Sequence, residues 1–203
     1  HRRPDGESSL MRPSEHVCDP FRTAVFTGTF DPISLGHLDV IRRGRQLFER
    51  LVVGIGVHPS KTSLFSVDER IALAEKVVEP FENVSVESFE ELTVQYVRRI
   101  GARVILRGLR TLTDMEYEFG MTLTNQRLDS EIETVFLMAD GQDSHVSSSL
   151  VRQVAKFGGA DALRPFVPEV VIEPILAKMR GGPSNDPYVD YDKRGAAPPT
   201  TPP

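Results

Sequence analysis

A single cysteine, Cys18, occurs in the 203 residues, so no intrachain disulfide and no thiolate metal cage can form. Such sparing use of cysteine is what a reducing cytoplasm favours. An excess of positive charge is missing as well: the formal net charge is -5 and the isoelectric point lies near 5.6. A general nucleic-acid surface needs a net basic face to displace counterions from phosphates, so none is expected. No apolar run approaches the ~20 residues of a membrane span. The N-terminal residues, rich in Arg, Asp, Glu and Ser, lack a signal-peptide apolar stretch. A soluble, unsecreted, cytoplasmic protein with neither a membrane nor a nucleic-acid partner is expected. Internal repeats are absent too.

What remains is ordinary for a globular chain, with 39% hydrophobic and 26% charged residues. Its length suits one domain plus tails. Residues 1–20 mix Arg, Pro, Ser and Glu without periodicity, and residues 181–203 are dense in Pro, Gly and Asp; both read as flexible tails. Met11 lies inside the first of them, where an alternative start would fall. Residues 21–180 form the expected domain. There, β-rich runs at Thr23 to Phe26, Leu51 to Val57, Asn83 to Phe89, Arg103 to Leu106 and Glu133 to Met138 alternate with helical patterns. That alternation predicts an α/β fold: a doubly wound, Rossmann-like, parallel five-stranded sheet with helices on both faces. Helices are expected over Leu38 to Phe48, from Ser66 through Val77 behind a Ser66/Glu69 capping box, and over Leu112 to Leu128, Ser148 to Phe157 and Glu169 to Met179. Arg42, Arg43, Arg45 and Arg50 read as a solvated helix face.

In such sheets ligands bind beyond the carboxyl ends of the strands, and those loops hold the informative residues. After the first strand, Gly28-Thr29-Phe30-Asp31-Pro32 and Gly36-His37 lead into a helix whose N-terminus would attract a phosphate. This is neither G-x-G-x-x-G nor a P-loop, which weakens dehydrogenase and P-loop ATPase readings. After the second strand, His58-Pro59-Ser60-Lys61 places a lysine on the same sheet edge. The fourth strand runs into Arg107-Gly108-Leu109-Arg110, two guanidinium forks flanking a glycine. Ion pairs from either arginine to Asp114, Glu116 or Glu118 are the alternative use of those charges. After the fifth strand, Asp143-Ser144-His145-Val146-Ser147-Ser148-Ser149 offers hydroxyl and backbone donors at a helix start.

Together these motifs resemble the nucleotidyltransferase superfamily with the T/H-x-G-H motif, here Ser34 to His37, and within it the phosphopantetheine adenylyltransferases. The resemblance spans Arg22 to Met179. It implies adenylyl transfer from ATP to 4′-phosphopantetheine, giving dephospho-CoA and pyrophosphate in coenzyme A biosynthesis, with CoA as a further ligand. By the same resemblance His37 and Lys61 are catalytic, and Thr29, Lys61, Thr93 and Arg107 contact the pantetheine substrate. Thr93 equally suits a helix N-cap. Thr29, Phe30, His37, Gly108, Leu109, Arg110, Glu118 and the run Asp143, Ser144, His145, Val146, Ser147, Ser148, Ser149 are implied on the ATP side. No protein group is implied as a metal ligand; Mg²⁺ would come bound to ATP. A homohexamer is implied.

Three departures accompany the likeness, the first being Ser34, which keeps the hydroxyl of the motif's first position and loses the methyl. Asp143 and His145 stand where many relatives carry aromatic residues, and a carboxylate repels a triphosphate unless Mg²⁺ or an arginine lies between them. Adenylyl transfer to nicotinamide mononucleotide, cytidylyl transfer to a small phosphorylated alcohol, and a nucleotide-binding regulator without turnover remain as alternatives.

Overall fold

In a computed structural model of the chain, residues 21–57, 63–138 and 146–181 are described. The elements in order are β1 (Thr23–Gly28), α1 (Leu35–Leu47), β2 (Arg50–Gly56), α2 (Val67–Val78), β3 (Val84–Phe89) and α3 (Thr93–Arg99). They continue with β4 (Val104–Leu109), α4 (Leu112–Leu128), β5 (Glu133–Met138), α5 (Ser148–Phe157), α6 (Ala160–Leu163) and α7 (Glu169–Gly181). The strands form one sheet in the order β3-β2-β1-β4-β5, every pairing parallel. Both tails expected from composition lie outside the described residues, apart from Gly181 at the end of α7.

Two apolar cores flank the sheet, as parallel strands buried on both faces require. Ala24, Phe26, Leu51, Val53, Ile55 and Leu106 pack with residues of α1, α2, α5, α6 and α7. Val25, Val52 and Ile105 pack on the opposite face with Val94, Tyr96 and Val97 of α3. Glycine brings α1 close to β4: a Cβ on Gly44 would lie 2.4 Å from a Leu106 methyl, and one on Gly108 would lie 2.7 Å from a Val40 methyl. Gly108 therefore has a packing reason independent of any ligand.

Most boundaries differ from those expected by one or two residues, and three differences bear on the site. α1 begins three residues early because Ser34 caps it. β4 continues through Arg107, Gly108 and Leu109, each paired with a residue of β5, so Arg107 belongs to the sheet rather than to a loop. Leu92, not Thr93, is the N-cap of α3, and no side chain caps that end. The short helix α6 was not anticipated, since its four residues carry no period. β1 leads to α1 on one face, whereas β4 leads to α4, which touches α3 on the other. The crevice between the ends of β1 and β4 is thus the switch point of the sheet.

Candidate active site

A cleft of about 750 Å³ opens at this switch point. Thr29 and His37 line it from the loop after β1, Arg107 and Gly108 from β4, and Arg110 and Glu118 from the segment that follows; Val146 and Ser147 through Ser149 come from the start of α5. Thr93 lines it from α3. Three of the four motif segments, those after β1, β4 and β5, therefore share one cleft with Thr93 of α3; the segment with Lys61 lies outside the described residues.

His37 is held by the helix it belongs to. It is the third residue of α1, and its ring closes a capping box with Ser34: the Ser34 backbone N–H donates to Nδ1 at 3.1 Å and the Ser34 hydroxyl lies 3.0 Å from the same nitrogen. The His37 backbone N–H returns a bond to Ser34 Oγ at 3.4 Å. A backbone amide can only donate, so Nδ1 accepts and the proton of the neutral ring sits on Nε2. The ring is further fixed edge-on against Phe30, with centroids 4.9 Å apart.

Burial, and then the charges of Arg110 and Arg107, push the His37 pKa down to about 4. The imidazole is thus neutral at pH 7, a donor through Nε2 alone. Because the folded value lies below the ordinary 6.5, the unfolded chain binds the extra proton first as pH falls. The stability linked to this ring is complete above about pH 6.5 and is lost between there and about pH 4. In the ligand-free protein, the His37 Cε1–H resonance, identified by its loss in His37→Gln, is expected to keep its neutral shift from pH 8 to about 5. A midpoint between 6 and 7 would contradict this environment.

The arginines realise both uses that the sequence left open. Arg107 Nε donates to Glu118 Oε2 at 2.7 Å and its Nη2 to Oε1, a two-pronged pair, while Nη1 donates to the Thr27 carbonyl at 2.6 Å. Arg110 Nε donates to Asp114 Oδ2 at 2.9 Å and its Nη1 to the Val146 carbonyl at 3.2 Å. Each guanidinium is aimed by a carboxylate yet still lines the cleft.

Phe30, Leu109 and Val146 have side chains buried in the protein, so only their backbones can meet a nucleotide. Phe30 holds a positive φ of 45°, unusual for a side chain of that size, where the loop turns toward α1. Ser147 caps α5 by accepting from Leu150 N, and Ser148 Oγ donates to the Pro32 carbonyl at 2.9 Å. Lys61, Asp143, Ser144 and His145 lie outside the described residues.

Sequence reasoning passed over Asp31, Arg70 and Arg152. The buried Asp31 carboxylate accepts from Leu64 N at 2.8 Å, from Phe65 N at 2.9 Å and from Arg152 at 3.2 Å, joining the glycine-containing loop to α2 and α5. Asp31 was visible in the motif, but nothing in the local pattern of either helix marks Arg70 or Arg152.

The Cytidylyltransferase-like family matches residues 25–154, a span that contains every residue of the cleft. The phosphopantetheine adenylyltransferase of Rhodopirellula baltica is 49% identical over 157 residues, 77% of this chain and 88% of that protein. That of Caldanaerobacter subterraneus is 43% identical over 159 residues, 78% and 98% of the two chains. The chain belongs to the phosphopantetheine adenylyltransferase family. Clostridium tetani has another such relative, 47% identical over 155 residues, 76% of this chain and 96% of that protein. Among solved structures, the Plasmodium falciparum nicotinic acid mononucleotide adenylyltransferase complexed with NaAD superposes with a TM-score of 0.56 at 12% identity, covering 76% of this chain and 94% of that one. That likeness concerns the fold alone.

Nucleotidyltransferases of this kind typically use a divalent metal. Among the described residues no group of three or more His, Cys, Asp or Glu side chains is placed to hold one. Glu118 is taken up by Arg107, Asp114 by Arg110, and Asp31 by two backbone amides and Arg152. A divalent metal would therefore be held in this cleft mainly through the oxygens of a bound polyphosphate rather than by these carboxylates.

Proposed function

We propose that this chain transfers the adenylyl group of ATP to the phosphate of 4′-phosphopantetheine, reversibly, giving dephospho-CoA and pyrophosphate in coenzyme A biosynthesis. The single observation carrying the reading is a neutral imidazole, locked as an Nε2–H donor, beside two arginines at the N-terminus of α1. That combination suits a phosphorus centre gaining negative charge.

An oxygen of the acceptor phosphate attacks the α-phosphorus. The bond from that phosphorus to the bridging oxygen of the β-phosphate breaks, and pyrophosphate leaves with the electron pair. The acceptor is already an anion, so no general base is needed; alignment and charge neutralisation make up the catalysis. His37 Nε2–H donates to an α-phosphate oxygen, and Lys61 supplies positive charge to the same centre. Arg107 and Thr93 receive the acceptor, with Thr29 between the substrates. Arg110, Glu118, the backbone of Gly108 and Leu109, and the α5 start at Ser148 and Ser149 hold ATP, and residues 143–147 are assigned to the ATP side by the family resemblance. Mg²⁺, bound to the triphosphate, would shield its charge.

We also assign the assembly as a homohexamer. On α4, Phe119 and Leu123, four residues apart and so on one side of the helix, are 56% and 59% exposed, and exposed apolar side chains of that kind support burial against further copies. Light scattering at micromolar concentration is expected to give six copies; a stable, fully active monomer would remove that assignment. The decisive test of function is pyrophosphate release from ATP with 4′-phosphopantetheine, nicotinamide mononucleotide, or no acceptor, and from CTP with a phosphorylated alcohol. Turnover with phosphopantetheine alone is expected. Exclusive turnover with nicotinamide mononucleotide, or binding without turnover, would overturn the proposal.

A further inference from the structure

Four arginines line the cleft among the described residues, and three are matched to carboxylates: Arg107 to Glu118, Arg110 to Asp114 and Arg152 to Asp31. Arg70, in the second turn of α2, is the exception. It is 5% exposed, and among the described residues its guanidinium donates to two backbone carbonyls, from Nη1 to Thr29 O at 2.9 Å and from Nε to Ser66 O at 3.4 Å. No carboxylate among the described residues pairs with it. Burying a guanidinium without a counter-charge is costly, and carbonyl dipoles repay only part of that. The arrangement makes physical sense when an anion enters from the cleft, and the cleft is what Arg70 lines.

The topology says which part of a substrate that anion belongs to. α2 joins β2 to β3, whereas Arg107 and Arg110 come from β4, on the other side of β1. Arg70 therefore approaches the N-terminus of α1 from the side opposite to those two. On its own side, Asp31 fastens Leu64 and Phe65, just before α2, to Arg152 of α5, and Ser148 Oγ of α5 rests on the Pro32 carbonyl. The serine-bearing start of α5 and the Arg70 end of α2 thus meet at residues 29–32. By the proposed function, the start of α5 presents hydroxyl and backbone donors to the triphosphate, so Arg70 reaches the cleft beside that polyphosphate.

We infer that Arg70 is a binding residue for the β- and γ-phosphates, holding pyrophosphate as it leaves. The inference rests on the proposed adenylyl transfer for its catalytic meaning, but binding of pyrophosphate itself can be tested without it. An arginine fork suits two adjacent phosphates, and a charge present before the ligand arrives needs no rearrangement to receive it.

The experiment uses the full chain with Arg70→Met and Arg70→Lys, inorganic pyrophosphate and dephospho-CoA as separate probes in calorimetry, and thermal melting with and without pyrophosphate. Arg70→Met is expected to weaken pyrophosphate binding about 10- to 100-fold and to change dephospho-CoA binding less than threefold. It should melt no lower than the parent without ligand, and lose the rise that pyrophosphate gives the parent. The Michaelis constant for pyrophosphate in the reverse reaction should rise in parallel. Pyrophosphate binding within twofold of the parent would overturn the inference. So would equal weakening of both probes with a lower melting temperature, the mark of a merely structural guanidinium. If Arg70→Met does not fold, Arg70→Lys decides, since an ammonium cannot form the fork: a pyrophosphate affinity at least fivefold weaker supports the inference, and parental affinity overturns it. A parent that binds pyrophosphate through Arg70 yet transfers no adenylyl group would sink the proposed reaction and leave the Arg70 assignment standing.

Discussion

His37→Ala is expected to lower kcat by roughly 10²-fold or more while ATP affinity changes by only a few fold. In the ground state the triphosphate still meets Arg110, the first turn of α5 and, by the inference above, Arg70. The donor on Nε2 gains strength only as charge grows on the α-phosphate during transfer, so its loss falls on the transition state. The same ring also closes the capping box with Ser34, so alanine leaves the Ser34 cap in place but takes the acceptor from the Ser34 N–H, a loss of about 1 kcal/mol. A fall of roughly 2–4 °C in melting temperature should follow for a chain of this size. His37→Gln separates the two roles. Glutamine is a natural third-position partner in a capping box, so it should restore most of the stability. Its amide NH₂ is still a donor, but on a flexible chain rather than a ring fixed against Phe30, so the rate should stay well below that of the parent. Melting temperature, ATP binding and single-turnover rate measured on one preparation of each variant check this. A folded alanine variant that retains near-parental chemistry would end the catalytic assignment of His37.

Arg107→Ala should carry the second large effect, and it should appear in stability as well as in acceptor binding. Removing the guanidinium leaves the Glu118 carboxylate, 9% exposed, without its two-pronged partner. Loss of one member of a fully buried pair costs about 3–5 kcal/mol. With about a quarter of the Arg107 side chain exposed, the lower end of that range is expected. The Michaelis constant for phosphopantetheine should rise roughly 10- to 100-fold as a charge-assisted contact to its phosphate disappears. The double variant Arg107→Met with Glu118→Leu distinguishes folding from function, because an apolar pair of similar volume can replace a buried ion pair without loss of stability. It should melt near the parent and remain unable to bind the acceptor tightly. A double variant with parental acceptor affinity would remove Arg107 from the site and leave it as scaffolding.

Both experiments depend on a division visible throughout this protein, between what local sequence dictates and what the fold adds. The alternation of β-rich runs and helical periods determined a parallel α/β sheet, because side-chain period and parallel pairing are local consequences of apolar spacing. The lengths of α4 and α5 matched to the residue, since Thr111 and Ser147 are capping residues readable in the chain. The glycine-containing loop, Arg107 to Arg110 and the serine run were recognisable because phosphate binding needs particular residue types at strand ends. Tertiary structure decided the rest. That β4 runs on through Arg107, Gly108 and Leu109 depends on β5 lying beside it, which no local propensity states. That Gly108 accommodates a Val40 methyl depends on how α1 crosses the sheet. Which nitrogen of His37 carries its proton depends on a backbone amide three residues earlier, held there by the turn. Arg70 and Arg152 carry no local mark, and Asp31, though it stands in the glycine-containing motif, shows none of its use there: the long-range partners of the three lie between 33 and 121 residues away. A charge acquires its meaning from what faces it, and facing is a property of the folded chain. Sequence determined which groups this protein possesses, and the sheet's switch point determined which of them share one cleft.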